Sequence, residues 1–242
     1  MTLGILAEIL RLFPEKQGFA ISIVGSGGKT TLMRLLSECL PGLVVSTTST
    51  KLAESEAKLF DAHIIWDEED QLMPRLPQGD GSVLITGGSF QVKQARKLNG
   101  LTESQLTALK LLCDQRGLPL IIEADGSRRR PLKAPAVYEP VIPAFTDLVI
   151  VVVGLARLIM PLNEENVFRS QIFSELTGLP MDEPVDLDSI LRYLKHPSGG
   201  LKGIPPTAKR FVMLNLFDCD HLALIDQGII EKTLCNFYDG VF

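Results

Sequence analysis

The stretch that decides the fold is IVGSGGKTT, residues Ile23–Thr31, which follows the apolar run FAISIV and precedes the helical stretch TTLMRLLSECL. Glycine adopts positive φ without a steric penalty, so its backbone N–H groups can turn toward an anion. A helix that begins directly after the glycines adds the partial positive charge of its N-terminus. The order of strand, glycine loop and helix therefore predicts an anion-binding turn.

Seven short apolar runs rich in β-branched residues predict the strands. They are continuous rather than alternating, which is typical of strands buried on both faces of a parallel sheet. Helical stretches lie between them, which predicts an α/β fold with a doubly wound, mostly parallel sheet and helices on both faces. The runs are FAISIV (19–24), LVVST (43–47), HIIW (63–66), SVLIT (82–86), LPLIIEA (118–124), DLVIVVV (147–153) and RFVMLN (210–215).

The helical stretches carry recognisable ends. LTESQLTALKLLCDQRG has Thr102 as N-cap, Gln105 at the capping-box position and Gly117 as the stop. We expect one domain over residues 1–242, with a small C-terminal subdomain from about residue 160 to 210 as an option. Further helices are predicted in MTLGILAEILRLF (apolar face Leu3, Leu6, Leu10 and Phe13), LAESEAKLF, EENVFRSQIFSELTG and DHLALIDQGIIEKTLCNFY.

Composition narrows the class of protein. The chain has 242 residues, a net charge of −5 and no basic excess, which argues against nucleic-acid binding. The run LVIVVVGLA is shorter than the ~20 residues that span a bilayer, so we expect no membrane segment. Four cysteines without ligand spacing indicate reduced thiols, and the start of the chain lacks a basic signal-peptide region. We therefore expect a cytoplasmic protein.

The glycine turn is predicted to hold the phosphates of ATP or GTP. Lys29 would reach the β- and γ-phosphates, and Thr30 would place its hydroxyl on Mg²⁺. The standard G-x-x-x-x-G-K-[ST] pattern would put glycine at Ile23, so the loop is a shortened variant, similar to those of Mur ligases and folylpolyglutamate synthases. An ordinary strand-to-helix turn is the alternative. The predicted nucleotide-binding residues are Gly25, Ser26, Gly27, Gly28, Lys29, Thr30 and Thr31.

A second site is predicted where LIIEADG (120–126) ends. Glu123 and Asp125 lie at the carboxyl end of a buried strand, where α/β sheets bind ligands and P-loop proteins hold Mg²⁺. With Lys29 they are the predicted catalytic residues, and with Thr30 the predicted metal ligands. Spacing alone leaves open which carboxylate binds the metal, and a solvated acidic turn is the alternative.

Cations follow this strand end directly. They suit an anionic second ligand or the phosphate in transfer, with a solvated basic loop as the alternative. The predicted substrate-binding cations are Arg128, Arg129, Arg130 and Lys133.

Two further strand ends carry polar candidates. In VVSTTSTK, Thr47, Thr48 and Lys51 would sense the γ-phosphate; the alternative is a helix N-cap for LAESEAKLF. In FVMLNLFD, Asn215 and Asp218 would contact the base, as in the Asn-Lys-x-Asp motif of guanine-specific proteins. Leu216 stands at the lysine position, so ATP and GTP both remain open.

Together the motifs resemble the selenium-dependent hydroxylase accessory protein family, also called YqeC. The segments GSGGKTT, STTSTK, EADGSRRRPLKAP, EPVIP, VVVGL…PLNEENVFR and LNLFD follow one another over nearly the whole chain. The resemblance implies a P-loop nucleotide-binding protein linked to maturation of selenium-dependent molybdenum hydroxylases. Two positions depart from the family: Leu216 replaces a lysine, and Phe168 stands where histidine is common.

The leading functional expectation is a Mg²⁺-dependent nucleotide-binding accessory protein and slow NTPase. Its partners would be a nucleotide, an anionic cofactor or selenium or molybdenum species, and a molybdenum hydroxylase. A small-molecule kinase or ATP-dependent ligase is one alternative. A nucleotide-dependent switch that acts on a partner protein is the other.

Overall fold

The computed structural model describes residues 2–13, 18–67, 73–92, 95–128, 130–156, 158–215 and 226–242. The strands in these ranges are β1 (Ala20–Ser26), β2 (Leu43–Thr48), β3 (Leu52–Ala53), β4 (Ala62–Ile65), β5 (Gly81–Thr86), β6 (Ser89–Val92), β7 (Ala95–Leu98), β8 (Leu120–Glu123), β9 (Leu132–Lys133), β10 (Leu148–Gly154), β11 (Val167–Phe168), β12 (Lys209–Asn215) and β13 (Gly240–Val241). The helices are α1 (Thr2–Leu12), α2 (Lys29–Cys39), α3 (Glu103–Arg116), α4 (Ser170–Thr177), α5 (Leu187–Lys195) and α6 (Gln227–Leu234), with a 3₁₀ helix over Glu54–Leu59.

The central sheet confirms the predicted fold class. Eight strands form one parallel sheet in the order β13-β12-β10-β1-β8-β2-β5-β4, flanked by helices. Each of the seven predicted apolar runs overlaps one of these strands, with bounds that differ by at most two residues. The eighth strand, β13, has only two residues, and no apolar run in the sequence predicts it. None of the helices in the described ranges is both long and apolar enough to cross a bilayer.

The chain divides into two compact units. The first contains Met1–Ile23, Thr30–Asp125 and Ile142–Asp147. Its core is an apolar cluster from β2, β5, β8 and α3 that includes Val45, Ile85 and Leu109. In this unit the last residues of β2 and β8 pair in register, Thr48 with Glu123.

The second unit contains Val24–Lys29, Gly126–Val141 and Leu148–Phe242. In this unit β10 and β12 pair along their whole length, so that Gly154 lies opposite Asn215 at their carboxyl ends. The short strands β9 and β11 pair separately. Within the unit, Phe173 of α4 stacks on Tyr193 of α5, with ring centroids 5.4 Å apart.

Several helix predictions are confirmed and others need correction. Thr102 and Gln105 form the predicted capping box of α3, and Gly117 ends the helix at φ 64°. Helix α1 exists, but it buries Ile5 and Ile9 and leaves Leu10 42% exposed, so its buried face is not the predicted one.

Two helix predictions were inaccurate, and one helix was not predicted. LAESEAKLF forms a 3₁₀ helix. The helix predicted over EENVFRSQIFSELTG begins only at Ser170, because residues Val167–Phe168 pair with β9. Helix α5 was not predicted, and the beginning of the last predicted helix lies outside the described residues.

Candidate functional site

The glycine turn at the end of β1 requires glycine at three positions. Gly25, Gly27 and Gly28 have φ of +93°, +81° and +130°, a conformation that side chains rarely tolerate. A Cβ atom on Gly25 would lie 2.1 Å from the carbonyl oxygen of Val152. Both the backbone conformation and the lack of space therefore exclude larger residues here.

Neighbouring segments of the second unit hold this turn in place. The Ser26 hydroxyl donates to the carbonyl oxygen of Pro131 at 3.0 Å, and the Asn215 side-chain amide donates to that of Gly27 at 2.7 Å. A Cβ atom on Gly28 would lie 2.6 Å from Nδ2 of Asn215. The result is a fixed loop of bare backbone, the kind of cradle that fits phosphate oxygens.

Lys29 places its charge inside the same turn. It is the first residue of α2 and only 4% exposed, and its Nζ donates to the carbonyl oxygen of Gly25 at 2.9 Å. An ammonium group, a helix N-terminus and a glycine loop therefore coincide within residues 25–29. This donor set suits a polyphosphate.

In the first unit, Thr30 meets one of the two predicted carboxylates. Its hydroxyl donates to Oε2 of Glu123 at 2.9 Å. Glu123 and Asp125 are 7% and 2% exposed, and Asp125 follows the end of β8. A hydroxyl and carboxylates are hard oxygen ligands that fit Mg²⁺. The geometry thus favours Glu123 over Asp125 as the partner of Thr30.

These ligands do not amount to a protein-only metal centre. Among the described residues, no group of three or more His, Cys, Asp or Glu side chains could hold a metal ion. Mg²⁺ usually binds through one or two carboxylates together with substrate phosphates. The residues present fit that arrangement.

The threonines that end β2 make bonds inside the sheet. The buried Thr47 hydroxyl donates to the carbonyl oxygen of Ile85 at 2.7 Å, and that of Thr48 donates to Glu123 O at 3.0 Å. The alternative N-cap interpretation is wrong, because Ala53 is the N-cap of the 3₁₀ helix. Their role toward a γ-phosphate stays a prediction.

Lys51 has a neighbour that the sequence did not reveal. It is exposed, and its Nζ lies 4.8 Å from the ring centroid of Phe90 on β6. Phe90 belongs to the small β3-β7-β6 sheet, whose short strands gave no apolar signal.

The basic segment after β8 separates into exposed and buried cations. Arg128 and Arg130 are exposed, and Arg129 lies outside the described residues. Lys133 is 1% exposed, and its Nζ contacts Oε2 of Glu139 at 3.0 Å and the carbonyl oxygen of Gly126 at 2.8 Å. In this structure the charge of Lys133 is therefore directed into the protein.

Glu139 joins Lys133 to a second cation, Arg169. The guanidinium of Arg169 binds both carboxylate oxygens of Glu139, at 2.7 and 3.1 Å. Burial opposes ionisation of Glu139, but the hydrogen bonds and charges of Arg169 and Lys133 outweigh it and lower its pKa. This network was missed, because Glu139 and Arg169 are 30 residues apart in sequence.

Phe168, the position that departs from the family pattern, is an aromatic platform. The guanidinium carbons of Arg169 and Arg128 lie 4.2 and 5.0 Å from its ring centroid.

Of the two residues predicted to contact the base, Asn215 contacts the glycine loop, while Asp218 lies outside the described residues, as does Leu216. Thr31 is exposed on α2.

Comparison with known proteins agrees with the motif order. A family model described as YqeC protein matches residues 21–171, more than half of the chain. The chain is 31% identical over 232 residues to "Uncharacterized protein YqeC" of Escherichia coli (strain K12), covering 93% of this chain and 86% of that protein. No solved structure gives a significant match. The chain therefore belongs to the YqeC family.

Proposed function

We propose that the chain binds a nucleoside triphosphate through residues 25–31 and hydrolyses it slowly in the presence of Mg²⁺. The observation that carries the proposal is the loop of three left-handed glycines that ends in Lys29 at the start of α2. Its backbone N–H groups and the helix N-terminus suit a polyphosphate. An ordinary turn would not need glycine at three positions where a Cβ atom meets another atom within 3 Å.

Each residue has a distinct task in this proposal. The Lys29 ammonium exchanges its bond to the Gly25 carbonyl for phosphate oxygens. Thr30 and Glu123 would hold Mg²⁺, and Asp125 would orient the attacking water. A bound metal would neutralise part of the phosphate charge. Hydrolysis then depends on positioning and charge rather than on covalent catalysis.

The biological role is proposed from family membership. The YqeC resemblance implies assistance in the maturation of selenium-dependent molybdenum hydroxylases. We assign the exposed cations Arg128 and Arg130 to an anionic ligand, either the phosphate in transfer or an anionic selenium or molybdenum species. A molybdenum hydroxylase would then be the protein partner.

The test is calorimetric titration of wild type with ATP and with GTP, each with and without Mg²⁺, followed by assay of phosphate release. In Lys29→Ala the loss of a charged hydrogen bond should weaken binding about tenfold to a hundredfold. Thr30→Val should weaken binding only when Mg²⁺ is present. Lys58→Ala is the matched control, because Lys58 is an exposed lysine of the 3₁₀ helix.

Different outcomes separate the candidate functions. Binding that is lost in Lys29→Ala and a slow release of phosphate support the NTPase and identify the base. A phosphorylated or ligated product other than NDP and phosphate would support the kinase or ligase. If neither nucleotide binds, or if Lys29→Ala binds as tightly as wild type, the proposal is refuted.

A further inference from the structure

The cationic side chains near the basic segment differ in their hydrogen-bond and ion-pair partners. Lys133 and Arg169 share the carboxylate of Glu139, and Lys202 donates to two backbone carbonyls. Arg128 is different: across the described ranges, neither a hydrogen bond nor an ion pair engages its guanidinium, which lies on the Phe168 ring. Among the described residues, no carboxylate pairs with its charge.

Arg128 is nevertheless held in position. Its φ of +49° is left-handed, a conformation that is uncommon for residues other than glycine. The guanidinium carbon lies 5.0 Å from the Phe168 ring centroid, within the range of cation–π attraction. Phe168 is itself fixed, because β11 pairs with β9 and Arg169 covers the same ring. An exposed arginine would otherwise sample many rotamers.

The segment that carries Arg128 is bonded to the glycine turn. The carbonyl oxygen of Pro131 accepts hydrogen bonds from the Ser26 hydroxyl and from Gly154 N, both at 3.0 Å. Arg128 precedes Pro131 by three residues, so their Cα atoms are at most about 11 Å apart. The Arg128 guanidinium therefore belongs to a segment that is bonded to the proposed phosphate loop, inside the same compact unit.

We infer that Arg128 supplies, from within the chain, the guanidinium that contacts the terminal phosphate and stabilises its charge during transfer to water. This inference rests on the proposed nucleotide hydrolysis. In that step the water oxygen bonds to the γ-phosphorus and the bond to the β,γ-bridging oxygen breaks. NDP leaves with the electron pair of that bond; one proton of the water stays on the released phosphate and the other passes to solvent. Phe168 is a positioning residue, because it acts through Arg128.

The experiment compares wild type with Arg128→Gly, Arg128→Lys and Phe168→Leu, and with Arg75→Gly as matched control, because Arg75 is an exposed loop arginine outside the proposed site. Glycine suits the left-handed backbone at position 128, so Arg128→Gly should fold. Phosphate release at saturating nucleotide gives kcat and KM. Calorimetry gives the Kd of NDP alone and of NDP with aluminium fluoride, which mimics the phosphate in transfer.

Arg128→Gly should lower kcat about 10³-fold or more, the range seen for arginine fingers, while KM and the Kd of NDP change less than about threefold. Its preference for NDP with aluminium fluoride should disappear, and added guanidinium ion should partly restore the rate. Arg128→Lys should recover little, because lysine lacks the planar fork. Phe168→Leu should lower kcat without changing the Kd of NDP, and Arg75→Gly should behave as wild type.

The opposing outcomes are distinct. If Arg128→Gly hydrolyses the nucleotide at the wild-type rate, the inference is overturned and the proposed NTPase stands. If it loses NDP affinity and kcat together, Arg128 serves binding or folding, and the inference is also overturned. If wild type binds no nucleoside triphosphate, the proposed function fails and the inference fails with it.

Discussion

Replacing Glu139 by glutamine should destabilise the protein strongly, because it removes the negative charge that Lys133 and Arg169 share in a largely buried site. The Lys133 side chain is 1% exposed and that of Glu139 is 12% exposed. Removing one partner of a buried ion pair lowers the free energy of unfolding by about 3–5 kcal/mol. In a chain of this size, 1 kcal/mol shifts the melting temperature by about 2–4 °C, so the expected decrease is about 6–20 °C.

The assay is thermal unfolding followed by circular dichroism, at pH 7 and at acid pH. The control is Glu38→Gln, which breaks an exposed pair with Arg34 whose side chains are 46% and 37% exposed. Such pairs contribute about 0–1 kcal/mol. If Glu139→Gln lowers the melting temperature no more than Glu38→Gln, the buried network does not hold this segment.

The pH dependence gives a second check on the same residue. The pKa of Glu139 is lowered in the folded protein by Arg169 and Lys133, which outweigh the opposing effect of burial. Its stabilising contribution is therefore complete above the ordinary carboxyl pKa and is lost as pH falls through the lowered value. The melting temperatures of wild type and Glu139→Gln should converge in acid. A difference that persists or grows in acid would contradict the assignment.

Three shorter predictions concern other parts of the chain. Gly27→Ala should lower the free energy of unfolding by at least about 2 kcal/mol and abolish nucleotide binding. Gly126→Ala should do neither, because no atom lies within 4 Å of the added Cβ atom. Thermal unfolding and calorimetric titration test both variants. Thr102→Ala removes the N-cap of α3 and should lower the free energy of unfolding, measured in denaturant, by about 1 kcal/mol. An unchanged value would exclude a capping contribution. Burial raises the pKa of Cys113 to about 12, so iodoacetamide at pH 8 should spare it in mass spectra while alkylating exposed cysteines; rapid labelling would contradict its burial.

The central sheet was predictable because strands of a buried parallel sheet are continuously apolar. The run DLVIVVV and the strand β10, Leu148–Gly154, coincide almost residue for residue. The glycine loop was predictable for a local reason as well, since the conformation it needs excludes other residues. By contrast, β3, β6 and β7 form a small separate sheet, whose strands of two to four residues gave no apolar run from which to predict them.

The contacts of the candidate site depended on residues far apart in sequence. The position of Asn215 at the end of a late strand predicts a contact with the base, which stays a prediction; in the structure its side-chain amide donates to the carbonyl oxygen of Gly27, 188 residues away. The parallel pairing of β10 with β12 brings it to that edge, and no spacing within either strand indicates the bond. Strand ends could be predicted locally, whereas the partners of their side chains could not.

The basic segment shows how this limit affects a functional prediction. Counting charges in sequence treats Arg128, Arg130 and Lys133 as equivalent cations near an acidic strand end. The structure distinguishes them, because the buried Lys133 compensates Glu139 while Arg128 lies exposed on an aromatic ring. The buried Lys133 already binds Glu139, together with Arg169, whereas Arg128 and Arg130 lie at the surface. Exposure is therefore the reason why we propose the two arginines, rather than Lys133, for contact with an anionic ligand.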